Sequence, residues 1–357
     1  MSAFHAANAE RRARWPASML TTSTHDTKRS EDVRARQASL SEMPDAWRRM
    51  AGRWLRHFRR LWAGVPFDPG LGYLAAQTLA GAWPLDGERL AAYLTKAARE
   101  AKLRTSWTEP DPAYEASVEA FARAVTTDTE MVRDLEGSLV PVIRAGRVNS
   151  IAQLLLKLTS PGVPDIYQGS ELWDLSLVDP DNRRAVDFGL RDALLAELET
   201  ALLDDPLAGP GPAAILARAD EGLPKLWVTR QVLHLRRQRP DLYGPDAAYE
   251  PLVAVGGRAD HVIAYLRGEG ASRAATVVPR LPHVLSSGRL GTDLMPARQP
   301  WGATSLRLPD GHWRDILGGS RHHARGGRGL RLSRILGSFP VALLVRELER
   351  PGRVASP

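Results

Sequence analysis

The sequence predicts an α/β fold joined to an all-β domain: part of a parallel barrel, a large helical insertion and a C-terminal antiparallel β-sandwich. Three observations carry this. Two short apolar runs, at 18–25 and 163–168, each end in a cluster of polar residues. The second follows an apolar helix, and a helix leading into a strand with polar groups at its carboxyl end is the repeating unit of a parallel α/β barrel. Residues 44–136 show helical periodicity, and from about residue 246 the period becomes two. The expected segments are 1–43, a first barrel strand and its surroundings; 44–146, the helical insertion; 147–243, a second barrel strand and the final helix; and 244–357, the β domain.

Each element has a local reason. Residues 4–14 form a polar helix broken by "WPAS", and 18–25 read as a short buried strand. A helix restarts near 30–38, with Ser30 as N-cap and Glu31 and Asp32 in the first turn, where acids complement the helix dipole. "PDAWRRMAGRWLRHFRRLW" spaces Trp47, Met50, Trp54, Phe58, Leu61 and Trp62 on one helix face, a stripe expected to pack in a core. "DGERLAAYLTKAAREAK" and "PAYEASVEAFARAV" repeat the pattern. "VNSIAQLLLKLTSPGVPDIYQGSE" is an apolar helix, a Ser-Pro-Gly break and a strand from Val163 to Gln168. Residues 205–224 are rich in Pro, Gly and Ala and read as a loop, and the helix after them is stopped by Pro240. "HVIAYLR", "AATVVPRLPHV" and "LRLSRILGSFPVALLVREL" are strands with Gly/Pro punctuation.

At 357 residues, with 43% hydrophobic and 25% charged residues, the chain has the composition of a globular protein able to bury a core. No run of about 18 apolar residues is present, so no membrane span is expected. The N-terminus lacks an apolar signal-peptide core. Cysteine is absent, which excludes disulfides and thiolate metal sites and fits a cytoplasmic location. The net charge of +7 raises nucleic acid as a partner, and "RHHARGGRGLR" at Arg321–Arg331 is the basic stretch that could serve one. Elsewhere the arginines are interspersed with acids, so the expectation is no nucleic-acid role and a solvated basic loop.

Two loops could carry chemistry. His25-Asp26 closes the first strand, followed by the charges of "TKRSED". Lys28 and Arg29 could hold Asp26 ionised and donate to sugar hydroxyls; the bland alternative is a solvated loop. The second loop, "DIYQGSELWDLSLVDPDNRRAVDF", crowds together Tyr167, Gln168, Glu171, Trp173, Asp179, Asp181, Asn182, Arg183 and Arg184. Aromatic faces suit pyranose rings, and carboxylates, amides and Arg suit hydroxyls; the alternative is a surface loop with Trp173 packed beneath it. The histidines show no ligand spacing, so no metal or cofactor is expected.

Together the loops are more specific than either alone. "THDTKRSEDVRAR", "LTSPGVPDIYQGSE" and "LVDPDNRRAVDF" closely resemble signature regions of the maltooligosyltrehalose synthases, members of the α-amylase superfamily (glycoside hydrolase family 13). "TSWTEPDPAYEASV" and "KLWVTRQVLHLRR" are similar to the same family. The resemblance implies a (β/α)8 barrel of which this chain holds strands seven and eight. It implies intramolecular transglycosylation, turning the reducing-end α-1,4 bond of a maltooligosaccharide into an α,α-1,1 bond by a retaining route. Asp26 would stabilise the transition state beside His25. Lys28 and Arg29 would hold the substrate, with Tyr167, Gln168, Glu171, Asp179, Asn182 and Arg183 as further contacts. Two departures from the family pattern are Gly70-Leu71-Gly72 before Tyr73, and Ala185 where a Pro is usual.

The family's nucleophile and acid/base lie on the fourth and fifth strands, and no motif for either occurs in these 357 residues. The chain is therefore expected to be a C-terminal portion, inactive alone, whose partner could be a separately encoded N-terminal half. The alternative is a non-catalytic maltodextrin-binding module or an inert remnant.

Overall fold

The computed structural model describes residues 1–204 and 210–347. In chain order the elements begin with α1 (Ser2–Arg14), β1 (Met19–Leu20), α2 (Glu31–Ser39), α3 (Pro44–Leu61), α4 (Pro69–Ala82), α5 (Gly87–Ala101), α6 (Pro112–Thr127), α7 (Thr129–Thr159) and β2 (Val163–Pro164). They continue with α8 (Phe188–Asp204), α9 (Pro212–Ala217), α10 (Leu223–Gln238), α11 (Pro240–Tyr243), β3 (Tyr249–Leu252), β4 (Ala254–Val255), β5 (Val262–Glu269) and β6 (Ser272–Pro279). The last are α12 (Pro282–Leu285), β7 (Ser305–Leu306), β8 (Gly311–Asp315), β9 (Arg321–Ala324), β10 (Leu330–Arg331), α13 (Leu332–Ile335) and β11 (Ala342–Arg346). Of the loop expected at 205–224, residues 205–209 lie outside the described residues, as does Leu348 of the last apolar run.

Contacts divide the chain into two units. One comprises Ser23–Arg147 and Asp174–Ala185 and is helical. The stripe on α3 supplies its core: Trp54 and Phe58 are fully buried, and Phe58 meets Phe121 of α6 edge to face at 5.2 Å, an arrangement favoured by the ring quadrupoles. Aspartates cap several of its helices. Asp68 accepts from the Gly70 and Leu71 amides, Asp86 from Arg89, and Asp111 from Ala113 and Tyr114, satisfying donors a helix start leaves open. α2 lies so close to α7 that a Cβ on Gly146 would fall 2.7 Å from the Arg36 Cα. The buried Arg36 guanidinium donates to the Trp83 carbonyl from this packed position.

The other unit comprises Met1–Thr22, Val148–Trp173 and Val186 onward. β1 and β2 pair in parallel, Met19 opposite Val163 and Leu20 opposite Pro164. Both strands are shorter than the runs suggested and are not buried: Met19 is 72% and Val163 51% exposed. Beyond Leu20 the polar Thr21 and Thr22 turn to side-chain bonds, Thr21 Oγ1 donating to Asp165 and Lys157 Nζ donating to Thr22 Oγ1. The β region forms a six-stranded antiparallel sheet in the order β3-β5-β6-β11-β8-β9 and a three-stranded one in the order β10-β7-β4. They share a core that includes Leu266, Leu306, Trp313 and Leu344. Alternation is lost in β5 and β6 because both faces are covered: opposite that core, the fully buried Tyr265 reaches Thr159 Oγ1 at 2.6 Å.

α7 has the length and composition of a membrane span, which the sequence reading did not anticipate. Its apolar side chains are spent on protein: Leu135, Leu139 and Val142 are buried in the helical unit, and Ile151, Leu155 and Leu158 in the other.

Two glycines of α7 make a test of this packing. Gly137 has nothing within 4 Å of an added Cβ, so Gly137→Ala should stabilise by up to about 1 kcal/mol through helix propensity. Gly146→Ala should instead cost about 1–3 kcal/mol by pushing α2 away. Thermal unfolding midpoints moving in opposite directions are the expected result.

Candidate active site

Residues 23–32 form a turn leading into α2. Ser23 Oγ accepts from the Glu31 amide at 2.9 Å, taking the capping role expected of Ser30. Ser30 sits at the N-cap position, but its hydroxyl donates instead to the Asp174 carbonyl. The Thr27 amide and hydroxyl both donate to the Thr24 carbonyl, which tightens the turn. At its tip His25 Nε2 lies 3.2 Å from Asp26 Oδ2, with the side chains 58% and 85% exposed. Lys28 and Arg29 are engaged elsewhere. Lys28 pairs with Glu100 at 3.1 Å, while the Arg29 guanidinium donates to Gln37 Oε1 and Thr78 Oγ1 and lies over the Tyr93 ring.

The 174–185 segment packs on this turn. Asn182 Nδ2 donates to the His25 carbonyl at 2.7 Å, so the two loops singled out in the sequence meet. The Ser30 amide donates to the Ser176 carbonyl at 2.9 Å, and the Asp174 amide to Asp32 Oδ2 at 2.7 Å. The segment is anchored from α5. Arg89 binds both oxygens of Asp181, at 2.7 and 2.8 Å, and donates to the Leu175 carbonyl; Lys96 donates to the Asp179 carbonyl. Arg183 pairs with Asp179 at 2.5 Å, and Arg184 lies 3.1 Å from Asp181.

Tyr167, Gln168 and Glu171 belong to the other unit. The Tyr167 carbonyl accepts from the Ser170 amide and hydroxyl, closing the turn after β2. Glu171 pairs with Arg191 at 3.0 Å, and Arg191 also holds the Gly169 carbonyl. Trp173 is fixed through its indole N–H to the Ala219 carbonyl. Because β1 and β2 are parallel, the chain leaves both on the same side, the relation expected for two strands of one barrel. Among the described residues no three His, Asp or Glu side chains converge as a metal site.

No family model matches the chain. It is 38% identical over 353 residues to a putative maltooligosyl trehalose synthase of Mycobacterium tuberculosis, an alignment spanning 96% of this chain and 40% of that protein. The structure of maltooligosyltrehalose synthase from Arthrobacter ramosus is 39% identical and superposes with a TM-score of 0.80, over 97% of this chain and 41% of that one. The chain belongs to the maltooligosyltrehalose synthase family. A hypothetical maltooligosyl trehalose synthase of Sulfolobus tokodaii is more distant, at 26% identity and a TM-score of 0.67 over 97% of this chain and 41% of that one. The chain spans about two fifths of the length of these relatives.

The sequence reading missed the groups that hold the family's loops: Arg89, Lys96 and Glu100 on α5, and Arg191 on α8. Arg89 is 92 residues from Asp181, and no local spacing pairs them. Asp68, Asp86 and Asp111 sit beside helix-starting Pro or Gly residues, a local cap signal that was likewise not read.

Burial alone would raise the Asp181 carboxyl, but the Arg89 bonds and the Leu177 amide outweigh it and hold the group below its usual range. In the same unit Glu115, bonded through both oxygens to Arg99 and also by Thr105, is drawn down to about 2. Depressed carboxylates contribute stability above their unfolded value of roughly 4, and the contribution drains as pH falls toward the folded value. The urea midpoint of the helical unit should therefore fall between about pH 5 and pH 2, with a shallower fall in Glu115→Gln. An unchanged pH profile in that variant would contradict this assignment.

Proposed function

We propose that this chain is the C-terminal part of a (β/α)8-barrel glucosylmutase, with Met19–Leu20 as the seventh strand, Val163–Pro164 as the eighth, and an antiparallel β-sandwich following. The parallel β1–β2 register and the shared core of the two antiparallel sheets support this placement. The proposed reaction acts on a maltooligosaccharide. The bond from C1 of the penultimate glucose to O4 of the last is broken, the glucosyl group passes to an enzyme carboxylate, and the anomeric hydroxyl of the retained glucose then takes C1. The outcome is an α,α-1,1 bond, with a proton delivered to O4 and one removed from the attacking hydroxyl.

The observation that carries the reading is the meeting of the two motif loops at Asn182 and the His25 carbonyl, which holds the His25-Asp26 tip in place. Asp26 takes the role of stabilising the oxocarbenium-like transition state, because its carboxylate is presented to solvent with His25 as its one ionic partner among the described residues. His25 and Lys28 contact the hydroxyls of the retained sugar. Keeping that sugar in place of water is what separates a mutase from a hydrolase. Arg29, Asp179, Asn182 and Arg183 shape the turn from the helical unit, while Tyr167, Gln168 and Glu171 are the eighth-strand contribution. Nucleophile and acid/base come from a complementary part of the enzyme, covalently joined or separately supplied.

The 357-residue chain with maltopentaose should give no non-reducing product. Fused to the complementary part of the Arthrobacter ramosus enzyme it should give trehalose-terminated product, and Asp26→Asn in that fusion should lower kcat by on the order of 10²–10³-fold. Turnover by the chain alone, or full activity of the Asp26→Asn fusion, would overturn the assignment.

A further inference from the structure

The helical unit holds a cavity of about 640 Å³ between α2, α3 and α4, in the size range of small-molecule pockets, roughly 300–1,000 Å³. One wall is aromatic. Trp47 donates its indole N–H to the Tyr73 hydroxyl at 3.1 Å, with ring centroids 6.1 Å apart. Trp47 also meets the fully buried Trp54 edge to face at 6.0 Å, which fixes its plane. Trp47, like Leu61 at the other end of the stripe, is half-buried, while Trp54 and Phe58 between them are fully buried.

The polar lining is of one kind. The Gln37 side-chain amide donates to the Gln77 main-chain carbonyl at 2.9 Å, and Gln77 lines the same wall. Arg29 and Arg48 add guanidinium groups, and among the described residues no carboxylate lines the cavity. The Nε of Arg29 is out of solvent and has no acceptor among the described residues. A rigid aromatic wall complements the C–H faces of a pyranose, and fixed amide and guanidinium donors complement its hydroxyls. The preset rings and the Gln37 amide, held at both ends by Arg29 and the Gln77 main chain, lose little freedom when a ligand arrives.

We propose that this cavity is a second binding site, for an α-1,4-glucan, distinct from the His25-Asp26 tip. It takes from the proposed function only the class of ligand. Its purpose is to retain a maltodextrin chain on the helical unit while the reducing end is processed elsewhere.

A blocking variant tests it without removing a core residue. Gly52 lines the cavity in mid-α3, and an added Cβ meets only the tip of Arg56 at 3.8 Å. Gly52→Leu should fill the space while keeping or raising the melting temperature. Calorimetric titration of the full chain with maltoheptaose should show binding. Gly52→Leu and Trp47→Ala should each weaken it at least tenfold, while Trp47→Phe and Asp26→Asn should stay within about threefold. Undiminished binding by Gly52→Leu, no binding by the parent chain, or binding of inorganic phosphate in competition with the glucan would overturn the site. If the Asp26→Asn variant alone loses binding, the second site is wrong and the reading of the His25-Asp26 tip stands.

Discussion

The Arg89–Asp181 pair is the constraint on which the candidate site depends. Both side chains are largely out of water, 17% and 12% exposed, so each charge gives up hydration that the other must offset. They manage this through geometry: two parallel hydrogen bonds between the pair, a third from Arg89 to the Leu175 carbonyl and a fourth from the Leu177 amide to Asp181. A one-residue slip of the 174–185 segment would part Asp181 from Arg89 and leave the buried guanidinium without its carboxylate. The pair therefore fixes the register in which Asn182 reaches the His25 carbonyl and Ser176 the Ser30 amide.

Around that anchor, charge is divided by use. Lys28, Asp179 and Asp181 each have an ionic partner in the helical unit, and Arg29 is tied to Gln37 and Thr78. These groups shape the turn. Asp26 has His25 beside it and is otherwise turned to solvent. A carboxylate that must meet a developing positive charge is useful in that state, since a strong competing partner would have to be broken first. The glucan cavity follows the same division: Trp54 and Phe58 of one helix face build the core, and Trp47, two turns before Trp54, is left half-exposed beside polar amides.

The helices were legible because their signal is local. The α3 stripe and the stop at Pro240 each depend on residues within a few positions. The two strands were legible as places but not as lengths: each pairs over two residues, the last backbone bond runs from the Asp165 amide to the Leu20 carbonyl, and beyond it Thr21 and Thr22 bond through side chains. Ser30 was chosen as a cap from its position alone, and Ser23, which does the capping, is eight residues from the amide it accepts. Of the site, the motif loops could be read. Their supports on α5 and α8 could not, because an Arg or Glu in an amphipathic helix carries no mark of a partner 72 or 92 residues away.

Amide hydrogen exchange on Arg89→Met tests the dependence directly. If the Arg89–Asp181 pair holds the turn, exchange should quicken at Asp26, Thr27, Ser30 and Asp174 while the α3 and α6 amides keep their protection. Unchanged exchange at those four amides would show that the turn stands without the pair, and would contradict the account.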